Sequence, residues 1–517
     1  MSRQYQIIFR SRNNESEVTE DIIFEGTASA PTDCHDFGIR HKDQIELISR
    51  AQSKILALQS SEIPLVQQCS ACGSDQLRKI GTKASWFHDV FSDHKVRMQC
   101  MECKACGHVE AGTVLKMMGS SLSGELIKLQ SEIGAKYSFR AVEELLDMMS
   151  HAPRKINNHT RVQDCADVVG DTIRILQAEE KILATTEAAS ELIIQVDGGH
   201  VNSADDSRSF EAMAAVVYKP DAVQPDPHDK SRTIVSSKHC AASAKSDNQF
   251  EMKQSTIIAA IKEGLSPETN LIALCDGATN CWNIVNAVSA LAKSTTKILD
   301  WFHISMKWGN IAIPYPEQSC IFYVVDDKSK LVSDGIYKLN TAYYQVYNGE
   351  VYDLTIHSNN PDMDVTKLKN NQMIRWDALE KYFNGCVTTK TKYESVKWYL
   401  WHGDPGKAIE RLNNIIFQTD KQTATKLTKF RQYIENNIEM IVNYQERLDN
   451  NQIFTSSFAE STVESLINQR CKGKKHMRWT REGLNNILQI RAAIASNSWN
   501  NIWKMVVRNS IANTTIN

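Results

Sequence analysis

Apolar and polar positions follow several distinct patterns along the chain, and each pattern favours a different secondary structure. A strand-like stretch over Tyr5–Phe9 precedes a helical pattern over 43–59, where apolar residues recur every three or four positions. Residues 120–190 also have helical periodicity. From Glu191 the pattern changes to short apolar runs that are typical of buried strands, namely ELIIQVDGG, FEAMAAVVYK, RTIVSSKHCAASA, LIALCDG and KILDWFH.

The second half of the chain is predicted to mix strands and helices. Two further strand-like runs lie within residues 318–357, and helical periodicity returns over 375–450. The segment 458–517 has a helical pattern, then a basic stretch, then a second helical pattern. Residues 218–232, which contain three prolines, are predicted to form a loop.

Composition and charge are those of a globular protein. Of the 517 residues, 42% are apolar and 23% are charged, which excludes a disordered or collagen-like chain. The 59 Lys and Arg nearly balance the 61 Asp and Glu, so affinity for nucleic acid must come from local basic patches. No apolar run reaches about 18 residues and the N-terminus lacks an apolar signal segment, so we expect neither a transmembrane helix nor secretion.

The thirteen cysteines favour a reducing compartment, because an odd number in a long chain does not fit a secreted disulfide scaffold. Cys69 and Cys72 form one CxxC pair and Cys103 and Cys106 form another, each followed by glycine. Two such knuckles are typical of a zinc ribbon, in which four thiolates hold one structural Zn²⁺ in a closed site. Cys100 completes a further CxxC without glycine and is ranked as a spare ligand.

A candidate DNA-reading module follows the cysteines. The pattern predicts one helix over Glu125–Ile133, a second over Ser138–Met149 with Ser138 as its N-cap, and a third after Pro153. Helix–turn–helix modules place such a helix in the major groove, where Arg, Lys and Asn contact phosphates and base edges. The first two turns of this helix are expected to display Arg154, Lys155, Asn157, Asn158, Thr160 and Arg161. The alternative is a solvated helical face.

Two acidic residues each end an apolar run and precede glycine, Asp197 in ELIIQVDGGH and Asp276 in NLIALCDGATNCW. Carboxylates at the C-terminal ends of buried strands face a crevice, where they could share one or two Mg²⁺ ions. A third carboxylate is expected from a helix near the C-terminus, and both Glu460 and Glu464, one turn apart, are candidates. Ordinary Asp-Gly turn chemistry is the alternative for the two aspartates.

A basic stretch directly follows those glutamates. Residues 468–481, NQRCKGKKHMRWTR, contain six Lys or Arg, one Trp and no acid, which favours a surface for the DNA backbone. The candidate contacts are Arg470, Lys472, Lys474, Lys475 and Arg478. A solvated run of charge is the alternative.

Six motifs occur in order from about residue 190 to residue 493. They are IIQVDGGHVNS, RSFEAMAAVVYKP, LIALCDGATNCWNIV, ILDWFHISMKW, VKWYLWHGDPGKAIERL and FAESTVESLINQRCKGKKHMRWTREGLNNILQIRAA. In these motifs the chain resembles DDE transposases of bacterial insertion sequences, specifically the Kra group within the Mutator-like branch. The resemblance implies an RNase H-like fold with Asp197 on the first strand and Asp276 on the fourth. It assigns the catalytic glutamate to Glu460, because the position of Glu464 is commonly an amide in that family.

The resemblance also gives two further segments an expected role. Asp300-Trp-Phe-His303 resembles the DxxH motif of Mutator-like enzymes, so His303 is expected to orient DNA or a metal-bound water, or else to be a core histidine. The long interval between Asp276 and Glu460 implies an insertion domain. Within it, Trp401 of KWYLWHGDPG is a candidate to stack on DNA bases, with packing in the domain core as the alternative.

Together these observations predict a DNA transposase, cytoplasmic and nucleoid-associated in a bacterium, with no membrane association. Asp197, Asp276 and Glu460 are expected to hold two Mg²⁺ ions. The expected partners are double-stranded DNA, as element ends and as target, and further copies of the chain in at least a dimer. An RNase H-like nuclease without strand transfer and a catalytically silent DNA-binding protein derived from a transposase are the alternatives.

The predicted fold class is an α/β RNase H-like catalytic domain with a largely helical insertion domain, preceded by a zinc ribbon and a helix–turn–helix-like domain. The predicted regions are an N-terminal arm and helix (1–65), the zinc ribbon (66–115), the helical DNA-binding domain (116–188), the first part of the catalytic core (189–310), the insertion domain (311–455) and the C-terminal helices of the core with the basic stretch (456–517).

Overall fold

The computed structural model of the chain has two compact units. Unit 1 comprises Met1–Leu271, Asn283–Ser294 and Phe458–Asn517, and unit 2 comprises Ile272–Trp282 and Thr295–Ser457. The structure describes residues 2–12, 17–34, 37–63, 67–150, 152–179, 187–205, 208–229, 233–311, 323–325, 335–339, 342–347, 350–353, 373–375, 395–417, 419–472 and 477–514.

Unit 1 begins with an antiparallel hairpin, β1 (Arg3–Arg12) and β2 (Val18–Ala28), and with helix α1 (His41–Glu62). The sequence pattern predicts a strand in β1 and predicts α1, and the structure confirms both. It does not predict β2, because Ile23 is the single buried residue of that strand and no regular alternation results.

Three antiparallel strands form the cysteine region, namely β3 (Leu77–His88), β4 (Asp93–Cys103) and β5 (Val109–Ala111). They pair in the order β3-β4-β5. Val96 and Met98 of β4 pack in a small core with Leu56 of α1. The N-terminal helix and the three-stranded sheet therefore share one apolar core.

Four helices follow, namely α2 (Val114–Met118), α3 (Gly124–Lys136), α4 (Phe139–Met148) and α5 (His159–Glu179). The Ser138 hydroxyl accepts a hydrogen bond from the N–H of Ala141 at 3.3 Å, so the predicted N-cap of α4 is confirmed. A single 3-10 turn, Lys155–Asn157, precedes α5, where the sequence pattern predicts the first turn of a helix. Val142, Leu146 and Val162 form the core of this helical module.

The chain then enters a region of seven strands. They are β6 (Glu191–Asn202), β7 (Ser209–Tyr218), β8 (Val223–Pro225), β9 (Thr233–Val235), β10 (His239–Ser243), β11 (Asn270–Cys275) and β12 (Ser294–Leu299). Five of them make one mixed sheet in the order β10-β7-β6-β11-β12, and β8 pairs with β9. β7 is antiparallel to both of its neighbours. The predicted mixed α/β architecture is confirmed at this level.

The expectation that Asp197 ends its strand is wrong. β6 continues for five residues beyond Asp197 to Asn202, and Asp197 lies opposite Ala214 in the ladder with β7. The glycines that follow Asp197 stay in the strand, with Gly198 opposite Met213 and Gly199 opposite Ala212. The alternative for Asp197, Asp-Gly turn chemistry, is therefore also wrong, and Gly199 instead allows a close approach to Val463.

Helices cover and follow the main sheet. In chain order they are α6 (Phe250–Lys262), α7 (Thr279–Ser289) and α8 (Trp301–Gly309). The C-terminal segment contains α13 (Ser457–Val463), a π-helical turn (Glu464–Asn468), α14 (Gln469–Cys471), α15 (Arg481–Ala495) and α16 (Trp499–Thr514). α15 is mostly buried, and its Gln489 side chain donates to the carbonyl of Ala242 in β10 at 3.0 Å.

Among its described residues, unit 2 contains short strands and, after α8, four later helices. Its strands include β13 (Tyr323–Val325), β14 (Gly335–Leu339), β15 (Ala342–Tyr347), β16 (Glu350–Asp353) and β17 (Met373–Arg375). Its later helices are α9 (395–401), α10 (Pro405–Ile416), α11 (Lys421–Asn436) and α12 (Tyr444–Asp449). Among the described residues, none of the helices has the length and apolar character needed to cross a bilayer.

Candidate functional site

Four cysteine thiols converge in the three-stranded region. The sulfurs of Cys69, Cys72, Cys103 and Cys106 all lie within 4.8 Å of one another, with 3.7 Å between Cys69 and Cys106 and 3.6 Å between Cys72 and Cys103. Zinc–sulfur bonds of about 2.3 Å at tetrahedral angles place sulfurs about 3.8 Å apart. The four thiols therefore fit one structural Zn²⁺ ion, and Cys100 is not part of the group.

The two cysteine knuckles have the same backbone hydrogen bonds. In each, the glycine N–H donates to the carbonyl of the first cysteine, Gly73 to Cys69 at 2.8 Å and Gly107 to Cys103 at 2.9 Å. Both glycines have a positive φ, 71° for Gly73 and 75° for Gly107, a backbone conformation that residues with a side chain rarely adopt. Hydrogen bonding from backbone N–H groups, chiefly that of Cys106, lowers the pKa of Cys103 to about 6. The second knuckle therefore favours the thiolate of Cys103, which is the form that binds zinc.

A cleft of about 670 Å³ in unit 1 brings three of the candidate acids together. Asp197 lines it from β6, and Glu460 and Glu464 line it from the helical segment that begins at Ser457. Their carboxylates are hard oxygen donors of the kind that Mg²⁺ prefers. One predicted aspartate and both candidate glutamates therefore share one cleft.

Two contacts fix the helix of Glu460 against the strand of Asp197. Gln195, two residues before Asp197 and on the same face of β6, accepts a hydrogen bond from the N–H of Ala459 at 2.9 Å. Gly199, two residues after Asp197, has no side chain, and a Cβ there would lie 3.3 Å from Val463. Asp197 thus lies between Gln195, which is hydrogen-bonded to the helix of Glu460, and Gly199, which packs closely against that helix. The strand therefore holds Asp197 towards the helix.

Sequence reasoning missed Gln195, although a signal was available. The residue is fully buried in an otherwise apolar run, and its amide also donates to the Tyr218 hydroxyl at 2.8 Å. Buried polar groups are nearly always hydrogen-bonded, so an amide inside a buried strand points to a specific partner. Here that partner is the first turn of the helix that contains Glu460.

The helical segment changes to a π-helical turn directly after Glu460. In the turn Glu464–Asn468, one extra residue leaves carbonyl groups without their usual α-helical partners. The Arg491 guanidinium of α15 donates to the carbonyls of Leu466, at 2.7 Å, and of Ser465. Arg491 therefore stabilises a turn type that is frequent at functional sites.

Glu460 and Glu464 have different surroundings. Glu460 is half-buried, whereas Glu464 is exposed and accepts a hydrogen bond from the Asn468 amide at 2.9 Å. The two candidate glutamates therefore differ in exposure, and the assignment of the catalytic role to Glu460 stays a prediction.

Asp276 lies in unit 2, directly after β11 as predicted. One of its carboxylate oxygens accepts from the N–H of Ala278 at 2.8 Å, which is a local Asp turn. Gly277 has a φ of 93°, and a Cβ there would lie 2.9 Å from Tyr433, whose hydroxyl donates to the Asp276 carbonyl at 2.8 Å. The Asp276 turn and the close approach at Gly277 therefore both fix the backbone around Asp276.

Asp300 and His303, also in unit 2, form a hydrogen-bonded pair. Asp300 is fully buried, caps α8 through the N–H of Phe302, and accepts from His303 Nδ1 at 2.7 Å and from the Ser456 hydroxyl at 2.7 Å. Burial raises the pKa of Asp300, but these hydrogen bonds outweigh it and hold that pKa below its usual range. His303 is thus oriented by a charged carboxylate, so its ring is fixed in one position.

The predicted DNA-reading residues do not all reach the surface. Arg154 is buried and donates to the carbonyls of Asp89 and Ser92, both at 2.8 Å, and to the Asp93 carboxylate. Asn157 is fully buried and donates to Asp147 at 2.8 Å. The expected display of both side chains is therefore wrong, because each is bonded within the protein. Lys155 and Arg161 are exposed as expected, and Asn158 is half-buried.

The basic stretch is likewise divided between buried and exposed residues. Arg470 is buried, donates to the Gly134 carbonyl of α3 at 3.1 Å, and packs on Phe139 and Trp479. Burial lowers the pKa of Arg470 to about 10. Its expected place on a DNA surface is wrong, since it joins the helical module to the segment of Glu460. Lys472 and Arg478 are exposed, whereas Lys474 and Lys475 lie outside the described residues.

Trp401 belongs to an aromatic cluster of unit 2. Its indole N–H donates to Gln445 at 2.7 Å, and its ring packs on Trp301 and Tyr444 with centroids 4.7 and 5.9 Å apart. The alternative interpretation, packing within the domain, describes this residue. Trp398, three residues earlier, is 57% exposed and stacks on His402.

Comparison with known proteins adds one finding for the C-terminal region. The model of an uncharacterised protein family, UPF0236, matches residues 367–506, a range that includes Glu460 and Glu464. No curated protein matches the chain. The similarity thus covers the helical segment that contains both candidate glutamates, and the name of the matched family states no function.

Proposed function

We propose that this chain is a DNA transposase of the DDE type with an RNase H-like core, in which Asp197, Asp276 and Glu460 hold Mg²⁺. The main support is the cleft that Asp197 and Glu460 share, because these acids come from distant parts of the sequence and the sequence pattern predicts both. Asp197 lies on the central strand of a mixed sheet, and Asp276 follows the fourth strand of that sheet along the chain.

Three further observations support the proposal. The four-cysteine group fits a zinc ribbon of the kind that accompanies DNA-binding modules. Exposed Lys155 lies in the turn before α5, exposed Arg161 lies in the first turn of α5, and Lys472 lines the acidic cleft. The family matched by residues 367–506 is associated with transposase-like proteins of insertion sequences.

The proposed reaction is two successive phosphoryl transfers. Water attacks a phosphodiester at the element end, which frees a 3′-OH and leaves a 5′-phosphate. The 3′-OH then attacks a phosphodiester of target DNA, so that one new bond forms and one target 3′-OH is released. Bound Mg²⁺ supplies charge that stabilises the attacking and leaving oxygens. Asp197 and Glu460 hold their carboxylates in the cleft, and Gln195 and Gly199 keep their spacing constant.

The proposal is tested by Mg²⁺-dependent cleavage and strand transfer on duplexes that contain the ends of the flanking element. The wild type is compared with Asp276→Asn, Glu460→Gln and Glu464→Gln. We expect Asp276→Asn and Glu460→Gln to abolish 3′-OH formation while DNA binding survives, and Glu464→Gln to retain cleavage. Glu464→Gln is a matched control, because it removes a charge from the same cleft one turn away.

Other outcomes favour other functions. Cleavage without joining would indicate an RNase H-like nuclease. Binding without cleavage, with all variants behaving alike, would indicate a silent DNA-binding protein. Loss of cleavage in Glu464→Gln with activity in Glu460→Gln would move the third carboxylate to Glu464.

A further inference from the structure

The long hairpin of β3 and β4 has one face that no other element of the ribbon covers. The ladder pairs Thr82 with Gln99, Ala84 with Arg97 and Trp86 with Lys95. Alternate residues of a strand share a face, so these three cross-strand pairs lie side by side. The ribbon outer face is defined by Thr82, Ala84, Trp86, Lys95, Arg97 and Gln99.

The opposite face of the same hairpin is buried. His94, Val96 and Met98 alternate with the outer residues of β4 and are at most 5% exposed, since they pack towards α1. Lys95 and Arg97, in contrast, are exposed, and Trp86 is 50% exposed. The burial pattern therefore fixes which side of the hairpin faces outwards, and that side presents two cations and an indole.

The charge of the hairpin is not balanced at this face. Residues 77–103, all of which the structure describes, contain three acids, and each has a partner elsewhere. Asp89 bonds to His94, Asp93 to Arg154, and Glu102 to Arg78. Within the described chain, no ion pair joins a carboxylate to Lys95 or Arg97. These two cations are therefore available to an external anion.

Trp86 fixes the position of one of these cations. The Lys95 ammonium lies 5.2 Å from the centroid of the Trp86 ring, and the His88 ring lies nearly parallel to that indole, with centroids 6.4 Å apart and an interplanar angle of 10°. A cation held over an indole has fewer conformations to lose on binding. The half-exposed ring also offers a flat apolar surface next to the charge.

We propose that the ribbon outer face binds the sugar–phosphate backbone of double-stranded DNA, with Lys95 and Arg97 each on a phosphate and Trp86 against a deoxyribose. This rests on the proposed function and names the surface by which the ribbon contacts DNA. Two residues apart on a strand, Lys95 and Arg97 are separated by about 6.7 Å. This is close to the distance between successive phosphates of one DNA strand, which rise about 3.4 Å along the axis and also rotate around it. Such contacts position DNA without reading its sequence.

The test uses the zinc-loaded full chain and a 30-base-pair duplex of arbitrary sequence, with affinity measured by fluorescence anisotropy from about 0.05 to 0.3 M salt. The Lys95→Ala/Arg97→Ala variant is expected to bind about 10- to 50-fold more weakly at about 0.1 M salt, and its log–log salt slope should fall by about 1.8. The matched control is Lys426→Ala/Lys429→Ala, which removes the same charge from exposed positions of α11. Zinc content and thermal melting show whether each variant is folded.

A second variant separates the indole from the charges. Trp86→Ala should weaken binding with little change in salt slope, and Trp86→Phe should restore most of the affinity, because a ring remains under Lys95. Wild-type affinity in the Lys95/Arg97 double variant, or an equal loss in the α11 control, would overturn the proposal. So would loss of self-association rather than of DNA binding, since the face would then bind a second copy.

The same proteins distinguish this inference from the proposed function. Wild type that binds the duplex through the outer face but never cuts element ends would leave the DNA contact standing and refute the transposase. If the wild type cuts element ends and the outer-face variants bind DNA like wild type, the transposase proposal stands and the outer-face contact is refuted. Wild type that binds no duplex would refute both.

Discussion

Gln195 accepts a hydrogen bond from the main-chain N–H of Ala459, with 2.9 Å between the amide oxygen and the nitrogen. The first N–H groups of a helix have no partner within the helix, so a side chain from elsewhere can anchor them. Here the anchor stands on the strand of Asp197, and the anchored residue directly precedes Glu460. The distance between two proposed metal ligands is therefore set by a neutral amide that contacts neither DNA nor metal.

Replacing Gln195 tests this anchor. Gln195→Leu keeps the approximate volume but leaves the Ala459 N–H buried without a partner, which should lower the free energy of unfolding by about 1–3 kcal/mol. Cleavage should fall much more than DNA affinity, because Glu460 loses its position. Gln195→Glu can still accept from Ala459 and should recover part of the cleavage rate.

The control for that experiment is Gln489→Leu. Gln489 of α15 is also buried and also bonds to the backbone, but its partner is the Ala242 carbonyl of β10 and not the residue before Glu460. It should lose a similar amount of stability, read by chemical denaturation, while cleavage stays near that of wild type. Equal loss of cleavage in both variants would show a general folding effect and contradict the anchor.

Gly199 provides a second test of the spacing in the cleft. An added Cβ would lie 3.3 Å from Val463 and 3.4 Å from Ile467, so Gly199→Ala must displace the helix of Glu460 slightly. Overpacking of this kind costs about 1–3 kcal/mol. We expect a lower melting temperature and slower cleavage, whereas Gly124→Ala, where a Cβ meets nothing within 4 Å, should leave cleavage unchanged and should not lower the melting temperature. Cleavage at the wild-type rate in Gly199→Ala would show that the approach is not critical.

The zinc site predicts a contrast between two cysteines of one strand. Cys103→Ser removes one of four converging thiols and should abolish stoichiometric zinc, with a large fall in melting temperature, because structural zinc contributes folding energy. Cys100→Ser, three residues earlier, should keep one zinc per chain. Metal analysis with a thermal melt measures both effects, and zinc loss in Cys100→Ser would mean that the ligand set is different.

Asp167 on α5 gives a pH dependence. Burial raises the pKa of Asp167 to about 6, and its Oδ1 is buried without a hydrogen bond from any described residue. The folded chain therefore binds more protons than the unfolded chain between about pH 4 and pH 6, where the unfolded pKa is about 3.9. This contribution to stability is present below about pH 4 and is lost as pH rises through about 6.

Asp167→Asn should remove the decrease in stability that the wild type shows as pH rises through about 6. At pH 7 the variant should be more stable than wild type by about 1 kcal/mol, a figure reduced because the side chain is partly solvated. At pH 4 the two should be alike. Asp164→Asn, at an exposed neighbour, should change stability less, because the Asp164 charge is a smaller cause than burial of the raised pKa of Asp167. A constant difference between Asp167→Asn and wild type over this pH range would contradict the assignment.

Features set by local chemistry were predictable from the sequence. The CxxCG spacing specified the four thiols, since each knuckle is closed by hydrogen bonds within a few residues. Ser138 specified a helix start, and the apolar runs specified the strands of the mixed sheet. The catalytic assignments to Asp197, Asp276 and Glu460 stay predictions.

Features set by tertiary packing were not predictable. Arg154, Asn157 and Arg470 were expected at a surface because charge and polarity favour exposure, yet each finds enough partners inside the protein to be buried. Partners that lie tens to hundreds of residues away leave no local pattern. Asp197 lies inside β6 because β6 continues to pair with β7 beyond it. The sequence does not predict this pairing, because two glycines after Asp197 are not typical of a strand.

The buried guanidinium of Arg154 bonds to three carbonyls of the loop between β3 and β4 and to the carboxylate of Asp93 at the start of β4, so the ribbon and the helical module cannot swing independently. If duplex DNA binds both modules, as proposed, its two contact points must lie at one interval and one angular phase. Inserting or deleting a few base pairs between those points is then expected to weaken binding, whatever bases the site contains.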